Sequence, residues 1–75
     1  MEKHDLLHEF PNQREKILEL QKQSNRFRKL SEEYHETDNH IHRIEEGDEA
    51  TTDDHLNELR MKRVHLKDSL YKMLV

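Results

Sequence analysis

From Phe27 to Ile44 the chain repeats a single spacing: Phe27, Leu30, Tyr34, Thr37, Ile41 and Ile44 are separated alternately by three and four residues. That alternation keeps one narrow seam of a helix facing one neighbour, and only Thr37 breaks its apolar character. Leu56, Leu59, Arg63, Leu66, Leu70 and Met73 repeat the pattern, with Arg63 as the interruption. Two helices with matching seams are expected to pair.

The signals between these runs set the expected boundaries. Gly47 supplies a left-handed residue to end the first long helix, and "GDEATTDD" reads as a turn. Thr51 is the expected cap of the last helix, with Asp54 at the reciprocal position and Asp53 favoured in the positive field of the first turn. Upstream, Pro11 suits a first helical turn, or Asn12 serves as cap with Glu15 in capping-box spacing. Ser24 and Asn25 are good caps and poor interior residues, so a break is expected there. The resulting expectation is an all-α single domain over residues 1–75. It has a short N-terminal helix at 11–23, a long helix at 25–46, a turn at 47–53 and a return helix at 54–74. The two long helices form an antiparallel, coiled-coil-like hairpin.

Counting outward from the turn places Ile44 opposite Leu56, Ile41 opposite Leu59, Tyr34 opposite Leu66, Leu30 opposite Leu70 and Phe27 opposite Met73. Thr37 then faces Arg63, so both polar interruptions share one layer. The Arg63 guanidinium is expected to reach Glu33 or Asp38, and Arg60 to meet Asp38 at the rim.

Composition narrows the function classes. The 75 residues are 31% hydrophobic and 40% charged, with one glycine, one proline and no cysteine. A chain so small and polar cannot bury a thick core, and it lacks disulfides, thiol nucleophiles and zinc-thiolate ligands. No run approaches the roughly 20 apolar residues that span a bilayer, and "MEKHDLLHEF" lacks the apolar region of a signal peptide. The expected compartment is the cytoplasm.

The formal charge of -4 opposes a polyphosphate partner overall. Arg60, Lys62, Arg63 and Lys67 nevertheless form a local basic run. The acidic surplus at Glu32, Glu33, Glu36, Asp38, Glu45 and Glu46 explains that run as charge complementarity within the hairpin, with nucleic-acid contact as the alternative.

Seven histidines raise the question of metal. Only His4 and His8 have one-turn spacing, and Glu9 is not placed as in a metalloprotease motif; solvated surface histidines are the expectation. Carboxylates on the outside of a thin hairpin lack a concave, water-poor site. Ser24, Ser31 and Ser69 have no Gly-rich oxyanion turn, and "EEGDEATTDD" lacks EF-hand spacing. No catalysis and no cofactor are expected.

Met73 beside Phe27 leaves Ile17, Leu18 and Leu20 without a partner on the last helix. Together with Phe10, Tyr71 and Leu74 they mark the open end as the candidate interaction surface, covered either by the N-terminal helix or by a second molecule. A protein partner or a homo-oligomer is the expected mode of action.

"HEFP" at His8 to Pro11, "HRIEEG" at His42 to Gly47 and "LKDSLYKML" at Leu66 to Leu74 resemble the YdcH-like family of small bacterial proteins, a domain of unknown function. The resemblance runs from His4 onward and implies an α-helical hairpin with a short preceding helix. It implies no catalytic residue, cofactor or substrate. Similar sequences often carry an apolar residue at the place of Thr37, and many start the long helix with a proline where this chain has Ser24-Asn25.

Overall fold

The computed structural model describes residues 6–75, with the side chains of Leu7 and His8 outside the described set. All its regular elements are helical: α1 (Leu6–Glu9), a 3-10 turn (Pro11–Gln13), α2 (Arg14–Gln23), α3 (Asn25–Glu45) and α4 (Asp53–Leu74). Among the described residues there is no strand.

Backbone chemistry explains most of the breaks. Pro11 occupies the start of the 3-10 turn, where a missing N–H costs nothing. The expected Asn12 cap does not form, because Asn12 lies inside that turn and neither flank has a side-chain cap. Backbone bonds close the segment instead, from Phe10 N to the Leu6 carbonyl at 2.9 Å and from Gln13 N to the Phe10 carbonyl at 3.0 Å. Ser24 alone separates α2 from α3. Its extended backbone donates N–H to the Leu20 carbonyl at 2.8 Å, and its Oγ accepts from Phe27 N at 3.1 Å. One residue thus ends one helix and caps the next.

At the other end of α3, Gly47 has φ +85°. Its N–H meets the Ile44 carbonyl at 3.1 Å, and Asp48 N meets the Arg43 carbonyl at 2.9 Å. This pair of bonds satisfies carbonyls that the helix end would otherwise orphan. The cap of α4 is Thr52, one residue later than Thr51, with Oγ1 accepting from His55 N at 3.2 Å. A threonine caps through the N–H three residues ahead, and from position 52 that N–H belongs to His55. Asp54 therefore makes no reciprocal bond, and it shares the first turn with Asp53.

Packing follows from the seams. α3 packs along α4, and α2 folds against α3 with α1 beside it. Leu6, Ile17, Phe27, Tyr34, Leu66, Leu70 and Leu74 form one buried cluster, flanked by Phe10, Leu20, Leu30 and Met73. Ile41 is fully buried but lies apart from that cluster. The molecule measures 37 × 21 × 17 Å. A 22-residue helix, at about 1.5 Å per residue, accounts for the long dimension.

Candidate interaction surface

The open end expected from the seams is occupied by the chain itself. Ile17 and Leu74 are buried in the cluster, while Phe10 and Leu20 are half-buried against it. These four residues therefore do not form an exposed docking patch, because α2 turns back at Ser24 and brings Ile17 inward. Leu18 and Tyr71 remain exposed. The segment before α2 seals the flank: the Phe10 ring stacks on Tyr71 with centroids 5.7 Å apart, and Lys67 Nζ lies 2.6 Å from Glu9 Oε2 and 5.9 Å from the Phe10 ring centre. Stacking, ion pair and cation–π contact tie this segment to one face of α4.

Three of the four basic residues proposed for nucleic-acid contact are held within the chain. Arg60 pairs with Glu45 at 3.3 Å, Arg63 with Asp38 at 2.7 Å and Lys67 with Glu9. Arg60 thus meets Glu45 and not Asp38, because Asp38 points inward; its side chain is almost wholly buried, between Arg63 Nη1 and His42 Nε2, the latter at 3.3 Å. Thr37 and Asp38 together make a buried polar layer. Lys62 lies on another side of α4 and is exposed. It borders an open groove of about 460 Å³ with Glu58, Met61, His65, Leu66 and Ser69.

Sequence reasoning missed Met61 and Val64, which lie with the expected Tyr71 and with Val75 along the outer side of α4. Met61, Val64, Tyr71 and Val75 are 62%, 56%, 49% and 74% exposed. With Asn57 and Asp68 they form a second alternation of four and three, interleaved with the core seam and displaced by roughly a quarter turn. The signal was present in the sequence, but the stronger Leu56–Met73 seam absorbed the reading of that helix.

His4 and the His8 side chain, the pair with one-turn spacing, lie outside the described residues. Among the described residues no three His, Cys, Asp or Glu groups converge closely enough to hold a metal ion as they stand. His40 Nε2 contacts Glu49 Oε2, and the His40 and His55 rings meet edge to face at 6.1 Å between centroids. No helix of the described residues is long and apolar enough to cross a membrane.

Residues 27–74, from the first turn of α3 to the end of α4, match a family described as a protein of unknown function, DUF465. The YdcH-like proteins resembled in sequence belong to that family. No curated protein and no solved structure matches the chain.

Proposed function

We propose that this chain, which belongs to the DUF465 family of proteins of unknown function, is a non-enzymatic protein-interaction module. Its α3 and α4 run antiparallel as a coiled-coil-like hairpin and present the outer face of α4 to an acidic amphipathic helix of another protein. The order of the ion pairs supports the hairpin, since Arg60 pairs with Glu45 and Arg63 with Asp38: positions rise along α4 as they fall along α3.

The observation that carries the functional reading is the exposed run Met61, Val64, Tyr71 and Val75. Asp68 divides this run into two exposed apolar pairs, Met61–Val64 and Tyr71–Val75, and apolar residues at such helical spacing are what a helix-in-groove partner buries. Charge selects the partner. Lys62 and Lys72 are exposed beside the stripe, and Arg60 and Lys67 keep nearly half of their side chains in solvent. A partner helix with glutamates flanking its apolar positions complements that rim, whereas a lysine-flanked one is repelled.

Two synthetic helical peptides with identical leucine seams, one flanked by glutamate and one by lysine, test the reading. Titrated into the labelled protein, the acidic peptide should shift the amide signals of Met61, Val64, Tyr71 and Val75, and the basic peptide should not. Val64→Glu should abolish the effect with helix content unchanged. Equal response to both peptides, or shifts confined to other faces, overturns the reading. Self-association in sedimentation that Val64→Glu abolishes replaces the partner with a second copy. Salt-sensitive retention on nucleic acid, lost on neutralising Lys62, replaces it with a polyanion.

A further inference from the structure

We propose that the N-terminal arm, residues 6–23, is exchanged between two copies of this chain, each arm completing the other copy's hydrophobic cluster. Leu6 and Ile17 of the arm enter the cluster with Phe27, Tyr34, Leu66, Leu70 and Leu74. Glu9 pairs with Lys67 at 2.6 Å, and the Phe10 ring stacks on Tyr71. All of these partners lie on the far side of Ser24, so a second copy offers the arm the same set.

The connection is one residue long. Ser24 alone is extended, at φ −120° and ψ 113°, between α2 and α3. Helical bonds already flank it: its N–H reaches the Leu20 carbonyl at 2.8 Å, and its carbonyl accepts from Arg28 N at 3.1 Å. Helical angles at Ser24 join α2 and α3 into a single rod. The N–H groups of Asn25, Arg26 and Phe27 then meet the carbonyls of Gln21, Lys22 and Gln23. The change gives up the Ser24 cap on Phe27.

The residue pattern suits the joined helix as well as the bent one. Ile17, Leu20, Ser24, Phe27, Ser31, Tyr34, Asp38 and Ile41 alternate three and four without interruption, and each is buried or half-buried. The inward edge of α3 therefore runs on into α2 in step, straight through the break. A bend at Ser24 folds the first part of that row back on its own chain. A straight helix carries the ten residues of α2 about 15 Å outward. A second copy receives them there, and its own arm fills the vacated place. The exchange is reciprocal, so it closes as a two-fold dimer. A short hinge favours such exchange, because the two arrangements differ in conformation only at that hinge.

Two charge-reversed variants of the full chain, Glu9→Lys and Lys67→Glu, test the exchange by sedimentation equilibrium. Each variant alone sets like charges together at that contact, whether closed or exchanged. Refolded as an equimolar mixture, the exchanged dimer sets opposite charges together at both contacts, which no closed monomer can do. The mixture should dimerise more tightly than either variant alone, by roughly fivefold. Ser24→Ala removes the cap and favours a helix interior, so in the otherwise unaltered chain it should tighten dimerisation by about fivefold per chain. Met61→Glu, on the outer side of α4, should change neither result. A chain that stays monomeric at millimolar concentration even with Ser24→Ala overturns the exchange, as does a charge-reversed pair without preference for each other at unchanged helix content. A dimer lost on Met61→Glu also overturns it and assigns self-association to the outer face of α4.

Discussion

Asp38 and Arg63 meet at 2.7 Å between α3 and α4, the carboxylate almost wholly buried and the guanidinium still reaching water. Desolvating a carboxylate costs several kcal/mol, so the pair specifies how the helices align more than it stabilises them. With Thr37 also buried, the layer separates Ile41 from the main cluster.

Removing one side of that pair is therefore expected to be far worse than removing both. Arg63→Ala should cost about 3–5 kcal/mol, because Asp38 is left buried with the His42 ring as its remaining polar neighbour. Asp38→Leu with Arg63→Leu should be neutral or stabilising by about 1–4 kcal/mol. Urea unfolding followed by circular dichroism measures both, and an equal loss in the two variants would show the pair to be a net stabiliser.

Adjacent residues of α2 should respond in opposite ways. Ile17 is buried in the cluster while Leu18 faces water. Ile17→Ala should cost about 2–5 kcal/mol, and Leu18→Ala should stay within about 0.5 kcal/mol. Denaturation midpoints of the two single variants decide whether α2 docks as described.

Capping residues give a finer reading of helix ends. Ser24→Ala and Thr52→Ala should each lose about 0.5–2 kcal/mol, since each oxygen accepts an otherwise orphaned N–H. Thr51→Ala should be nearly silent. Thermal melts of the three variants test the assignment, and a larger loss at Thr51 than at Thr52 would move the start of α4.

At Gly47 the backbone alone sets the cost. A Cβ there would meet nothing within 4 Å, yet φ is +85°. Gly47→Ala should therefore destabilise by about 1–2 kcal/mol through left-handed strain, Gly47→Asn by less, and Gly47→Val by more. The order of the three melting temperatures checks this.

Local signals carried further in the sequence than spatial ones. Ser24 and Gly47 were legible because their chemistry acts within a few residues: a hydroxyl three positions from an N–H, and a residue without Cβ at a left-handed site. The choice between Thr51 and Thr52 was not, since the two adjacent hydroxyls both lead into Asp53 and Asp54 and only the helix start decides between them. Helix rotation was the harder quantity. Thr37 was readable as a seam position, but that Asp38 turns inward to meet Arg63 depends on side-chain reach across two helices. The burial of Ile17 and Leu74 hinged on the angle at Ser24, which no spacing encodes. The outer run of α4 lay in plain view as a second periodicity, and only exposure values distinguish it from core.

Leu6 and Leu74 share one hydrophobic cluster, so the first described turn and the last are neighbours at the same pole. Tension applied between those two points would load the contacts one layer after another, as a zip opens, and not all at once in shear. Resistance to such a pull then rests first on the shared cluster that also holds Ile17, Phe27 and Leu70.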